Sequence, residues 1–212
     1  MSGIEAVISD FGGVLTSPLL DAFRAFHDRS GISPEALGKA MRAVADRNGS
    51  NPLFELETGR MTEADFLQAL EDELVVLLDR DVQMHGFGEA YFEALAPNEP
   101  MIEYMRELRR RGYKLAICTN NVREWERLWR AKLPVDELFD VVVDSAFVGS
   151  RKPERRIFEL TLQRLGTPAG ATLLVDDIEA NCDAAHELGI NVVWFRCTEQ
   201  AIDALEAALA GG

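Results

Sequence analysis

The sequence predicts an α/β protein, a doubly wound parallel sheet interrupted once by a helical bundle. Three observations carry that prediction. From Pro97 onward, short β-branched runs alternate with helical stretches of about 10 to 15 residues, the pattern of a parallel sheet covered on both faces. A run of similar character, Ile4 to Ile8, stands alone near the start. Between the two, residues 18–95 show helical spacing and no strand signal apart from an ambiguous run, Leu74–Leu78. The expected organisation is a core made of residues 1–17 and 96–212, with residues 18–95 as an inserted helical unit.

Taken in order, the first strand delivers a lone carboxylate, Asp10, to a Gly12-Gly13 turn. Open α/β sheets place their chemistry outside the carboxyl ends of strands, so Asp10 stands where a reactive group belongs. In the insert, Leu19, Phe23 and Phe26 recur at helical spacing. Ser33-Pro34-Glu35 reads as an N-cap followed by Pro at the first helical position. Thr62-x-x-Asp65 opens a helix running through Phe66, Leu67, Leu70 and Leu74, and a last helix is expected from Val82 to Leu95. A helix from Pro100 to Arg111 then stops at Gly112. Strand Lys114–Thr119 follows, and Asn120-Asn121 is expected to open a helix carrying Trp125, Leu128 and Trp129. The run Phe139–Val143 ends at Asp144-Ser145, Pro153 to Leu165 reads as helix, and Thr172–Asp177 as strand. A helix to Leu188-Gly189, a strand Asn191–Arg196 and a helix Glu199–Ala210 complete the pattern.

The 212-residue chain carries 22 Lys and Arg against 36 Asp and Glu, a formal charge of −14. That balance argues against nucleic acid or an anionic membrane as partner. An anion handled here needs local neutralisation by a metal ion, a Lys or helix N-termini. Cys118, Cys182 and Cys197 show no paired spacing, which suits reduced thiols. With no basic lead, and no apolar stretch near the roughly 20 residues of a membrane span, a cytoplasmic protein is expected.

Four strand ends present polar groups: Asp10, Thr119-Asn120-Asn121, the loop Gly149-Ser150-Arg151-Lys152-Pro153, and Asp176-Asp177. Parallel strands bring their carboxyl ends to one edge, so these groups converge. Asp10 is a candidate nucleophile, Thr119 and Asn120 candidate binders of phosphate oxygens, Lys152 a lone cation without an evident acidic partner, and Asp176-Asp177 hard oxygen ligands suited to Mg²⁺. Asn181, one turn beyond, is placed to brace the metal loop.

With these motifs in this order, Asp10-Phe11-Gly12-Gly13-Val14, Thr119-Asn120, Lys152-Pro153 and Asp176-Asp177, the chain resembles the haloacid dehalogenase superfamily. The helical insert matches that superfamily's cap, giving a Rossmann-like core with a cap domain. The stretches Phe54–Thr62 and Leu174–Asn181 are similar to the phosphatase branch that includes the N-terminal domain of soluble epoxide hydrolases. The resemblance implies a Mg²⁺-dependent phosphatase acting on a small phosphorylated metabolite. Asp10 would form an aspartyl-phosphate. Mg²⁺ would lie between Asp10, the Gly12 carbonyl and Asp177, with Asp176 beside it. Thr119, the Asn120 N–H and Lys152 would hold the phosphoryl group.

One position departs from that pattern. Active phosphatases of the superfamily carry a second Asp two residues after the nucleophile, as general acid and base; here that residue is Gly12. Candidate surrogates are Glu55, Glu57 and Asp46. A 2-haloacid dehalogenase and a non-catalytic Mg²⁺- and phosphate-binding module are the alternative readings. Other conspicuous residues read as structural: Trp125, Leu128 and Trp129 as an apolar stripe for the core or a homodimer contact, His27, His85 and His186 as scattered residues, Cys118 as core, and Arg109-Arg110-Arg111 as a solvated face in a helix's last turn.

Overall fold

The computed structural model describes residues 3–211. After strand β1 (Ala6–Ser9) come five helices: α1 (Leu19–Ser30), α2 (Pro34–Asn48), α3 (Pro52–Glu57), α4 (Glu63–Leu78) and α5 (Phe87–Ala94). Helix α6 (Glu99–Arg110) leads to β2 (Lys114–Thr119), then short α7 (Glu126–Arg130) and α8 (Val135–Leu138) precede β3 (Val141–Asp144). A one-turn α9 (Ser145–Val148), α10 (Arg155–Leu165), β4 (Thr172–Asp176), α11 (Glu179–Glu187), β5 (Asn191–Trp194) and α12 (Thr198–Ala210) follow.

The five strands form one parallel sheet in the order β3-β2-β1-β4-β5. The chain steps outward from β1 through β2 to β3, then crosses back to lay β4 on the other flank of β1. The carboxyl end of β1 is therefore the switch point at which α/β sheets open a crevice. Both faces of the sheet are covered, which is why its strands read as near-continuous apolar runs. Val7, Leu115, Ile117, Leu173 and Val175 face the larger core, under α6, α12 and the five-helix segment. Ala6, Ile8, Ala116, Cys118 and Leu174 face the smaller core, against α10 and α11.

The chain leaves and re-enters the sheet layer side by side. Thr16 bridges Pro97 in antiparallel fashion, the Ser17 N–H donates to the Ala96 carbonyl at 2.7 Å, and the Asn98 N–H donates to Leu15 at 2.9 Å. Within the five-helix segment, α2 packs on α4 and α1 on α5. The two expected caps form: Ser33 Oγ accepts from the Ala36 N–H and Thr62 Oγ1 from the Asp65 N–H, both at 3.1 Å. The ambiguous Leu74–Leu78 run is the last turn of α4, with Leu74 buried and Val76 80% exposed, an asymmetry of helical rather than strand period.

Several boundaries differ from the sequence expectation, each for a local reason. Asn120-Asn121 does not open a helix. The Asn121 N–H is taken by Ser145 Oγ at 3.0 Å and its own Oδ1 accepts from the Val122 N–H, so a 3₁₀ turn starts only at Arg123. Phe139 closes α8 by donating its N–H to Val135 and is lost to β3. Helix α10 begins at Arg155 rather than Pro153, and α5 at Phe87 rather than Val82.

Trp129 is fully buried, packs on the Phe11 ring at 5.2 Å, and donates its indole N–H to Asp144 Oδ2 at 3.2 Å. It joins the core to the ends of β1 and β3. Trp129→Ala is expected to cost about 3–5 kcal/mol of unfolding free energy in urea titration, as for other large aromatic truncations. A loss under about 1 kcal/mol would contradict this packing.

Candidate active site

Asp10 follows β1 and continues its ladder, its N–H donating to the Val175 carbonyl at 2.9 Å. One carboxylate oxygen, Oδ1, accepts from the Phe11 N–H at 2.6 Å and from Lys152 Nζ at 2.8 Å. Its other oxygen has no protein donor among the described residues, and Asp10 lines a cavity. The turn behind it needs glycine. Gly13 has φ +78°, and a Cβ there would strike Asp177 Oδ2, so its bare backbone admits the second carboxylate.

Lys152 comes from the loop between α9 and α10 and is 1% exposed. The acidic partner missing from the sequence is present twice: Nζ reaches Asp10 Oδ1 at 2.8 Å and Asp176 Oδ2 at 2.6 Å. The Asn120 side chain clamps this loop from the end of β2. Its Nδ2 donates to the Lys152 carbonyl at 2.9 Å, and its Oδ1 accepts from the Lys152 N–H at 2.7 Å. Asp176, at the end of β4, is fully buried. Its Oδ1 accepts from the Ile178 N–H and from Asn181 Nδ2, both at 2.9 Å. Thr119 is buried at the end of β2 and lines the same cavity as Asp177 and Gly12.

Burial pushes the Asp10 carboxyl up to about 7; Lys152 opposes the rise, while Asp176 and Asp177 add to it. Asp177 is raised too, by burial and then by the Asp176 charge. Burial alone would lower the Lys152 ammonium, but the charges of Asp10 and Asp176 outweigh it and hold the group protonated. Three carboxylates thus face one ammonium. Oxygens of Asp10, Asp176 and Asp177 lie within 4.8 Å of one another, an all-oxygen, negatively charged set that fits a small hard dication such as Mg²⁺.

The cavity above this floor holds about 320 Å³. Its walls are mostly apolar and come from the five-helix segment: Leu19, Phe23, Met41, Phe87 and Tyr91, with Trp125 from the core. Tyr91 stacks on Trp125 at 5.6 Å and on Phe87 at 5.9 Å. Trp125 is thus both part of the core and a cavity wall, its indole N–H bonded to Glu63 at 2.7 Å, whereas Trp129 does not line the cavity. Of the three acidic residues considered as surrogates, Asp46 is exposed and Glu55 pairs with Arg60; neither lines the cavity. Glu57 does, paired with Arg151 at 2.6 Å. Sequence reasoning missed this pair and the Asn120 clamp. Partners 94 and 32 residues apart leave no local signal.

The fold and site thus define an α/β protein with its polar groups gathered at one sheet edge under a helical roof. The sequence model of haloacid dehalogenase-like hydrolases matches residues 4–189, and the chain belongs to that family. It is 29% identical to mouse acyl-CoA dehydrogenase family member 10, over 97% of this chain and 19% of that protein. It is 26% identical to pig bifunctional epoxide hydrolase 2, over 96% of this chain and 38% of that protein. The chain thus spans well under half of either relative's length. A Pyrococcus abyssi glyceraldehyde 3-phosphate phosphatase is 31% identical over 54% of this chain and 48% of its own. Among solved structures, a family enzyme from Bacteroides thetaiotaomicron in complex with magnesium and inorganic phosphate superposes with a TM-score of 0.66 (21% identity; 91% of this chain, 94% of that one). A Xanthobacter autotrophicus L-2-haloacid dehalogenase with chloropropionic acid covalently bound gives 0.65 (19% identity; 99% and 83%).

The raised Asp10 carboxyl has a consequence for stability. Its folded value, about 7, lies above the ordinary 3.8, so the folded state holds the proton longer than the unfolded chain does. Stability attributable to this group is greatest below about pH 4 and is lost as pH rises towards 7. In EDTA, Asp10→Asn, which mimics the protonated acid, is expected to melt several degrees above the wild type at pH 8 and close to it at pH 4.5. Equal melting temperatures at pH 8 would refute the raised Asp10 carboxyl.

Proposed function

We propose that this protein is a Mg²⁺-dependent phosphatase of small phosphate monoesters with an apolar organic part, acting through an aspartyl-phosphate on Asp10. The observation that carries the reading is the state of Asp10: one oxygen pinned by Lys152 and the Phe11 N–H, the other free at the floor of the cavity. The family relation, the phosphatase among the relatives and the neighbour solved with magnesium and phosphate support it.

On this reading residues 18–95 form the cap that roofs the site, and their apolar walls receive the organic part of the substrate. Thr119 and the Asn120 N–H take phosphoryl oxygens, and Lys152 offsets their charge. Asp10, the Gly12 carbonyl and Asp177 would hold Mg²⁺. Asp176, already bonded to Lys152 and Asn181, stands beside it chiefly as an anchor. When bound, the ion supplies positive charge that neutralises both nucleophile and phosphate. The free Asp10 oxygen attacks phosphorus while the bond to the leaving oxygen breaks. Water then attacks the aspartyl-phosphate at phosphorus, releasing inorganic phosphate and the Asp10 carboxylate. The fully buried Lys152–Asp176 pair keeps Asp10 oriented through both steps, which is positioning rather than chemistry.

The test is phosphate release from hexyl phosphate, phenyl phosphate and a sugar phosphate, with Mg²⁺ or EDTA. Release is expected only with Mg²⁺, with lower KM for the apolar esters, and reduced about 10³-fold or more in Asp10→Asn. Unchanged turnover in Asp10→Asn would refute the nucleophile. Halide release from a 2-haloacid, without phosphate release, would assign the dehalogenase reaction instead. Neither reaction, with melting still raised by Mg²⁺ and a phosphate mimic, would assign a binding module.

A further inference from the structure

The phosphatase reading leaves a chemical gap, because Gly12 has no side chain to protonate the leaving oxygen or to activate water. We infer that Glu57, at the C-terminal end of α3, is the general acid and base of the reaction; the inference rests on the phosphatase reading. As the bond from phosphorus to the ester oxygen breaks and the bond to Asp10 forms, the Glu57 carboxylic acid gives its proton to the departing alkoxide. The resulting Glu57 carboxylate then takes a proton from the water that attacks phosphorus. Inorganic phosphate leaves, Asp10 is freed, and Glu57 is again the acid.

Four observations place Glu57 for this work. It lines the cavity that contains Asp10, Gly12 and Lys152. Only its Oε2 is engaged, by Arg151 Nε at 2.6 Å; Oε1 has no protein donor among the described residues and is not fully buried. Arg151 immediately precedes Lys152, so the residue that fixes Glu57 is joined by one peptide bond to the residue that fixes Asp10. The Arg151 guanidinium is itself held against the Phe54 ring at 3.9 Å, and the Glu57 and Arg151 side chains are each only 15% exposed.

The electrostatics agree. Burial raises the Glu57 carboxyl above its ordinary value, while Arg151 and, more weakly, Lys152 pull it back. A partly desolvated carboxyl that holds its proton longer than a surface Glu is the state in which a general acid works. Glu55, two residues earlier, is held below its ordinary value by Arg60 and lies away from the cavity, so the same helix carries an internal contrast.

The experiment compares kcat/KM of wild type and Glu57→Gln, with Mg²⁺, on phosphate monoesters whose leaving groups grow more basic: p-nitrophenyl, phenyl and hexyl phosphate. Gln keeps an acceptor for Arg151 Nε and removes the proton. For hexyl phosphate the variant is expected to lose about 10²- to 10⁴-fold. For p-nitrophenyl phosphate, whose leaving group departs without help, the loss should be less than about tenfold. Glu57→Asp, retaining a carboxyl, is expected to recover part of the hexyl phosphate rate. A loss of equal size across the series, or no loss, would overturn the inference; an equal loss would mean that Glu57 only positions Arg151 or supports the fold. A wild type that releases phosphate from none of the three esters defeats the phosphatase reading first, and this inference with it.

Discussion

One ammonium group, Lys152 Nζ, lies 2.8 Å from Asp10 and 2.6 Å from Asp176, sealed from water at the edge of the sheet. Buried charges persist only when paired, and removing one partner typically costs about 3–5 kcal/mol. The ends of β1 and β4 are therefore tied to the loop before α10 through one buried ammonium as well as by the ladder. The Asn120 clamp fixes that loop from β2, so three strand ends and one loop share a single electrostatic knot. Three carboxylates around one ammonium leave negative charge in excess. Burial lifts Asp10 against the pull of Lys152, Asp176 and Asp177 add to the rise, and the excess of oxygens fits the cluster to a divalent cation.

Much of this arrangement can be read from sequence because strand ends declare themselves. Apolar runs stopping at Asp10, Thr119, Asp144 and Asp176 define the sheet edge before any coordinates, and capping residues at Ser33 and Thr62 mark helices that form where expected. Contacts across long stretches of chain cannot be read in this way. Lys152 looks unpartnered in sequence because its partners arrive on other strands. Asn120 looks like a helix opener because its role as a clamp depends on a loop 32 residues away. Tertiary bonds likewise moved the boundaries. Ser145 captures the Asn121 N–H and delays the next helix.

A fold of this kind hosts more than one reaction, so the family alone does not choose between phosphoryl and carbon–halogen chemistry. The choice lies in the groups around Asp10. An oxygen-only donor set with an ammonium alongside suits a phosphoryl anion, and the apolar cavity above it suits an ester with little polar surface. Gly12 shifts the question of proton transfer from the sheet edge to the helices that roof it. Glu57 ends a short helix whose partner, Arg151, sits in the same loop as Lys152. The roof and the floor of the site are thus joined by one loop.

A carboxylate oxygen of Asp10 is the atom proposed to take the phosphoryl group. The most direct test is to mix the protein with p-nitrophenyl phosphate and Mg²⁺, quench in acid within milliseconds, and map the modification by peptide mass spectrometry. A hydroxylamine-labile phosphoryl group on Asp10, formed before steady-state turnover, is the predicted result. Turnover of the ester with no phosphoryl group on Asp10, or with one on another residue, would contradict the account.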